Sequence, residues 1–238
     1  PQIFVSIVTG KKFILYIHTE KLVIKRWSLI FISLLRKFRI FKILAVSDAA
    51  AKANLKHLYN PNLPKNKILI IPSGRNLEPI INEVGNRIEN RNIYKLTDNQ
   101  IIIGSVGRLH WSKGFDLLIK SFKALRTKVS KDIKLLIAGD GPMRNDLDNL
   151  INDLCLADNI TLLGNIPNVA KFLSALDIYI QPSISEGFGA SVIEAMSAGI
   201  PVVSSDTGGL GEIIENNKTG MLFQNNNMES LTDKLIQM

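Results

Sequence analysis

From Gln100 onward, short apolar runs alternate with segments whose apolar residues recur at helical spacing. Ile101–Val106 is an apolar run of strand length, and after Gly107 comes the amphipathic stretch Phe115–Leu125. Lys134–Ala138 predicts the next strand, ending in Gly-Asp-Gly-Pro, and Met143–Leu156 the next helix. The series continues as strand Ile160–Leu163, helix Val169–Ala175, strand Asp177–Gln181, helix Gly189–Ala198 and strand Pro201–Ser204. Helix Leu210–Glu215, strand Met221–Phe223 and helix Met228–Ile236 complete it. Near-continuous apolar strands separated by helices predict a parallel sheet covered on both faces. Right-handed crossovers then give a doubly wound α/β domain, with its ligand crevice at the carboxyl ends of the strands.

The first 76 residues carry the same alternation more faintly. Phe13–Ile17, Ile43–Val46 and Ile68–Ile71 read as strands, and Lys25–Phe38 and Asp48–Leu58 as helices, the latter with Ser47 as N-cap. Glu78 to Asn99 is polar and rich in Asn and charge. The organisation predicted is an incomplete Rossmann-like unit over 1–76, a linker over 77–99 and a ligand-binding domain over 100–238.

Composition narrows the setting. A chain of 238 residues with 46% hydrophobic and 21% charged residues is that of a folded protein, not a disordered one. The single cysteine, Cys155, placed on the predicted helix, excludes an intramolecular disulfide and fits a reducing, cytosolic compartment. Residues 1–98 hold 17 Lys and Arg against 6 Asp and Glu, whereas 99–238 hold 12 against 15. The basic first part suits an anionic partner, such as acidic lipid headgroups or an anionic acceptor. A Lys-, Ile- and Asn-rich composition explains the same charge without any partner. Nucleic acid is not expected, because no aromatic platform interleaves the basic residues. Leu29 to Leu35 is far short of the roughly 20 residues that span a bilayer. It suits an amphipathic helix lying on a membrane, or one packed on a sheet.

The candidate chemistry concentrates in two strings. In residues 186–209, Glu186 follows the strand end Ile180-Gln181-Pro182-Ser183 and so belongs at the mouth of the crevice. Gly187 and Gly189 let backbone approach a ligand, and the helix opening near Gly189 directs N–H groups and the positive end of its dipole at a phosphate. Glu194 comes eight residues after Glu186; were the helix extended back, that would be roughly 12 Å of rise. Such a spacing exceeds that of glycosidase acid–base partners and suits two carboxylates gripping hydroxyls of one extended ligand. In residues 104–122, Arg108 follows a strand and Lys113 opens the next helix beside Gly114. A fork-shaped cation and a point charge at such a junction suit a diphosphate. Gly139-Asp140-Gly141-Pro142 is only a partial dinucleotide fingerprint, since Arg144 stands where a third glycine belongs, and it reads as a turn before a helix.

Glu-Gly-Phe-Gly followed by Glu194-Ala195-Met196, with seven residues between the glutamates, resembles the signature of glycosyltransferase family four. These are retaining enzymes of the GT-B fold, with two Rossmann-like domains facing across a cleft. Gly107-Arg108 and Lys113-Gly114 are similar to the family's phosphate-binding pair, and Pro201-Val202-Val203 with Gly208-Gly209 to its next strand and loop. Upstream, Ala45-Val46-Ser47-Asp48 and Ile70-Ile71-Pro72-Ser73-Gly74 match more loosely; Arg75 and Asn76 depart from the family's pattern, which has an Asp there. The resemblance implies that residues 100–238 bind the donor, a nucleotide-diphosphate sugar, and 1–76 the acceptor, a glycan or lipid-linked molecule. Arg108 and Lys113 would neutralise the diphosphate. Glu186, with backbone N–H groups of Phe188 and Gly189, would hold the sugar. Glu194 would bind the ribose diol, Leu163-Gly164 would face the base, and His18 would point at the donor. No metal or other cofactor is implied.

No glycine-rich loop precedes His18, and the family has further helices where Met238 stands, so a fragment with weak nucleotide binding and little turnover is expected. The inner membrane face is the expected setting for the acceptor. One competing reading is a sugar-nucleotide epimerase, which lacks the paired-glutamate string. A glycan phosphorylase needs a pyridoxal-phosphate lysine that has no candidate here, and the third alternative is a non-catalytic nucleotide-binding or interaction module.

Overall fold

The structure, a computed structural model, describes residues 13–17, 40–57 and 68–238. They fall into two units: the described residues up to Gly74 together with Ser185–Phe188, and Arg75–Ile184 together with Gly189–Met238. His18 and the helix expected over Lys25–Phe38 lie outside the described residues.

In the first unit, β1 (Phe13–Ile17), β2 (Ile40–Ala45) and β3 (Ile68–Ile70) form a parallel sheet in the order β1-β2-β3. Helix α1 (Asp48–His57) follows β2. Ser47 caps it as expected, its Oγ accepting from the Ala50 N–H at 3.0 Å.

The second unit opens where a linker was expected. Residues 77–99 instead form α2 (Glu78–Ile81), a 3₁₀ turn (Val84–Asn86) and α3 (Arg87–Ile93), all within this unit. The cause is Arg91, which is 1% exposed. Its guanidinium donates to the carbonyls of Ala175, Thr97, Asp98 and Gln100, and to Asp177 Oδ2 at 2.5 Å. Arg87 takes the other carboxylate oxygen of Asp177 at 2.5 Å, and the Ile102 N–H donates to Oδ2 at 2.7 Å. Asn90, also buried, donates to Ser174 Oγ at 2.6 Å. A polar, Asn-rich segment is thus bound into the unit by polar groups that find their partners far along the chain.

Six parallel strands come next: β4 (Ile101–Val106), β5 (Ile133–Ala138), β6 (Ile160–Gly164), β7 (Ile178–Gln181), β8 (Val202–Ser205) and β9 (Met221–Phe223). Their order in the sheet is β6-β5-β4-β7-β8-β9, so the winding reverses between β4 and β7. That is the doubly wound arrangement, with its ligand crevice outside the carboxyl ends at the reversal. Successive side chains of each strand enter opposite cores. Ile103, Leu135, Ile137, Ile180 and Val203 pack with α4 (Phe115–Arg126), α5 (Arg144–Asp153) and α9 (Met228–Ile236) through Leu118, Phe122, Leu147, Ile151 and Leu231. Ile102, Leu136, Tyr179 and Val202 pack with α2, α6 (Val169–Ser174), α7 (Ala190–Ser197) and α8 (Leu210–Ile213). Burial on both faces is why the strands read as apolar throughout.

Helix α5 is shorter than its apolar pattern suggested. Cys155 takes a left-handed φ of 55°, and the Leu156 N–H returns to the Ile151 carbonyl at 2.9 Å, which closes the helix in a Schellman-like turn. Cys155 is therefore an exposed turn residue rather than a helical one. Among the described residues no helix is long and apolar enough to cross a membrane.

Candidate functional site

At the carboxyl end of β4 the chain runs through Gly107, Arg108 and Leu109 into a 3₁₀ turn, Trp111–Lys113. Gly114, at φ 65°, redirects it into α4. Arg108 is exposed, and the Lys113 stem lies over Gly107, whose added β-carbon would sit 3.7 Å from Lys113 Cδ and Cε. Both cations therefore flank one glycine on the edge where the winding reverses. The loop is fixed from below. The Leu109 N–H donates to the Asp140 carbonyl and the Met143 N–H to the Leu109 carbonyl, each at 3.0 Å.

Gly139 and Gly141 serve this packing. A β-carbon on Gly139 would fall on the Gly107 carbonyl oxygen, and one on Gly141 would fall on that of Leu109. The Gly139-Asp140-Gly141 turn therefore brings the β5 edge against the β4 loop, which explains both glycines without a dinucleotide. Beside it lies a cleft of about 390 Å³ lined by Val106, Gly107 and Arg108 after β4, Ala138, Gly139 and Asp140 after β5, and Asn165, Ile166 and Val169 after β6. Leu163 and Gly164 precede the β6 part of this lining. The Arg144 guanidinium donates to the Leu162 carbonyl at 3.0 Å beside Gly164, which takes φ 71°.

The loop after β7 is tied to that after β4: the Ile184 N–H donates to the Ser112 carbonyl at 2.8 Å, and a β-carbon on Gly114 would strike the Pro182 carbonyl oxygen. A buried polar lattice supports it. Gln181 Oε1 accepts from Tyr179 at 2.7 Å and Ser191 at 2.9 Å, and Gln181 Nε2 donates to Ser183 Oγ at 2.8 Å. Ser205 Oγ donates to the Ser183 carbonyl at 2.5 Å, and Asn225 and Thr207 donate to that of Ile184. Gln181, Ser183 and Ser205 are completely buried.

Glu186, Gly187 and Phe188 belong to the first unit, where Ser47 Oγ donates to the Gly187 carbonyl at 2.6 Å. One hydroxyl thus caps α1 and holds this loop. Gly189 and Glu194 belong to the second unit. Gly189 precedes α7 at φ 99°, and an added β-carbon would lie 2.5 Å from Leu210 Cδ2, so only glycine fits the helix entry. The helix begins at Ala190, so Glu194 sits about 6 Å of axial rise into it, and no helix extends back from there to Glu186. Its side chain is 20% exposed and its Oε1 lies 3.5 Å from Arg75 Nε. Burial pushes the Glu194 carboxyl above the usual carboxylate range, and the Arg75 guanidinium pulls it partly back.

The structure thus gathers Arg108, Lys113 and the cleft bordered by the β6 end within the second unit, and gives Glu194 a cationic neighbour. It also shows residues that pattern reading passed over. Gln181, Ser183 and Ser205 looked like ordinary strand-end polar residues, and only their complete burial marks them as scaffold. Arg75 stood at a departure from the family pattern and offered no other signal. Among the described residues no three His, Cys, Asp or Glu side chains gather into a metal-binding group.

Comparison with known proteins gives a consistent result. The family model described as "Glycosyl transferases group 1" matches residues 86–238. A glycosyltransferase of Methanocaldococcus jannaschii, itself uncharacterised, is 39% identical over 144 residues, 60% of this chain and 34% of that protein. The capsular polysaccharide biosynthesis glycosyltransferase CapM of Staphylococcus aureus is 27% identical over 223 residues, 89% of this chain and 56% of CapM. Among solved structures, Anabaena HepE in complex with UDP and glucose superposes with a TM-score of 0.80 at 19% identity, covering 99% of this chain and 64% of HepE. The chain spans about a third to a little over half the length of these two curated relatives. Neither an epimerase nor a phosphorylase is favoured by these matches.

Proposed function

Because the chain belongs to the group 1 glycosyl transferases, we propose that it supplies the donor-binding part of a retaining glycosyltransferase of family four. In this reading a sugar moves from a nucleotide-diphosphate sugar to a glycan or lipid-linked acceptor. The observation that carries it is the pair Arg108 and Lys113 around Gly107, at the carboxyl edge where the sheet's winding reverses. A diphosphate placed there meets a planar fork and a point charge. Those cations stabilise it as it departs, the largest catalytic demand of such a transfer. No resident metal or cofactor enters this reading.

The remaining roles follow the chemistry of each group. Glu194, four residues into α7, accepts from the ribose hydroxyls, and the Leu163-Gly164 turn borders the base. Glu186 holds hydroxyls of the donor sugar, helped by the N–H groups of Phe188 and Gly189, and His18 serves the same sugar. The acceptor hydroxyl attacks the anomeric carbon on the face the diphosphate leaves, and the departing phosphate oxygen takes the acceptor's proton. That a fold relative binds UDP and glucose supports a nucleotide-sugar donor. The relative CapM, named for capsular polysaccharide biosynthesis, supports a glycan-building context. The basic balance of residues 1–98 supports peripheral binding at an anionic, cytoplasmic membrane face.

Isothermal titration of the chain with UDP and GDP tests the donor assignment: saturable binding of one of them, lost in Lys113→Ala, is expected. A folded sample that binds neither overturns it. Co-sedimentation with phosphatidylglycerol but not phosphatidylcholine vesicles, weakened by salt, tests the membrane assignment.

A further inference from the structure

Glu194 poses a problem for ribose recognition. A carboxylate that accepts from both hydroxyls of a diol must be ionised, because a protonated carboxyl gives up part of its acceptor capacity to an O–H. Yet the side chain is mostly buried in the second unit, and burial favours the neutral form. Of the elements packed against α7, α2 carries Glu78, and β7 carries Tyr179, whose phenol donates to Gln181. β8 carries no titratable side chain. The cation that acts on Glu194 is Arg75.

We propose that Arg75 is a positioning residue for nucleotide recognition, holding Glu194 as an ionised carboxylate ready to accept from both hydroxyls of a ribose. The inference rests on the ribose role proposed above and names the residue on which that role depends. At 3.5 Å, Arg75 Nε and Glu194 Oε1 attract by charge without a normal hydrogen bond, so the carboxylate's lone pairs remain for the diol. The guanidinium is half exposed and stays charged throughout the pH range of interest. The adjoining residues set its backbone. Asn76 Oδ1 accepts from the Glu78 N–H at 3.1 Å, which fixes the entry to α2, and α2 anchors through the buried Ile80. Arg75 thus approaches α7 from a segment tied to the same unit.

The sign of the effect is defined. Nucleotide affinity falls on the acid side as Glu194 is protonated. Removing Arg75 removes the influence that lowers this pKa, so the acid limb moves to higher pH. The test is titration calorimetry of the 238-residue chain with UDP, GDP and 2′,3′-dideoxy-UDP between pH 5 and 8.5. Arg75→Gln should bind the preferred nucleotide up to about tenfold more weakly at the acid end of this range, and near-normally at pH 8.5. Arg75→Lys should keep most of the wild-type profile. Dideoxy-UDP, which carries the same phosphates, should show no difference between wild type and Arg75→Gln. If Glu194→Gln flattens the profile but Arg75→Gln superposes on wild type, Arg75 is idle while the ribose role stands. If wild type and Glu194→Gln bind UDP and dideoxy-UDP alike, or wild type binds neither UDP nor GDP, the ribose role fails and this inference with it.

Discussion

At the amino edge of the six-stranded sheet Arg91 is 1% exposed and gives its guanidinium to four carbonyls and Asp177, while at the carboxyl edge Arg108 is exposed beside glycines and a second cation. The two arginines serve one sheet from opposite ends. At the amino edge the buried Arg91 and the Asp177 carboxylate satisfy one another. At the carboxyl edge the polar groups that satisfy one another, Gln181, Ser183 and Ser205, lie beneath the loops. The loops they support carry Arg108 and Lys113. A charge sealed into the scaffold, as at Arg91, marks a structural residue rather than a site candidate.

Changes at the two edges should separate stability from binding. The largest effect is expected for Arg91→Ala, which strands the buried side of the Asp177 carboxylate: a loss of about 3–5 kcal/mol, read by urea denaturation. A loss under about 1 kcal/mol would break the contrast. Gly139→Val comes next, since its β-carbon meets the Gly107 carbonyl and its φ of 129° disfavours a side chain. About 3 kcal/mol should be lost, together with nucleotide binding, because the β4 loop must move. Lys113→Ala should behave oppositely, with stability within about 0.5 kcal/mol of wild type and nucleoside diphosphate affinity about 10–100-fold weaker. Unfolding comparable to that of Arg91→Ala would show Lys113 to be structural. The smallest effect sharpens the comparison. Asn168 stands near the carboxyl edge but only caps α6, accepting from the Lys171 N–H at 3.0 Å. Asn168→Ala should cost about 1 kcal/mol and leave nucleotide affinity unchanged in calorimetry.

The two edges also differ in how far the chain alone reveals them. Gly107-Arg108 and Lys113-Gly114 are local: the strand that ends before them, the turn and the helix that opens after them are all written in adjacent residues. Their position after β4 and at the opening of the next helix was therefore legible, whereas the approach of Lys113 to Gly107 was not. Nor was the amino edge. Arg91 and Asp177 are separated by 86 residues, and an Asn-rich stretch carrying three arginine and lysine residues looks the same whether its charges are solvated or sealed. The cap on α1 was legible because Ser47 and Ala50 are three residues apart. The same hydroxyl's bond to Gly187, 140 residues on, was not. Helix α5 was overextended because Leu154 and Leu156 continue its apolar rhythm, and nothing in that rhythm announces the left-handed turn at Cys155.

The sequence by itself determined the parallel, doubly covered sheet, the near-correct bounds of its strands, and the cations and glycines at their carboxyl ends. Those features arise from periodicity and from neighbours within a few residues, where sterics and hydrogen bonding act along the chain. Tertiary structure decided which polar residues became scaffold, that 77–99 is part of the second unit, and that Arg75 meets Glu194. Each of those outcomes depends on groups distant in sequence becoming neighbours in a medium of low dielectric, where a pairing or its absence is worth several kcal/mol and no local pattern records the partner.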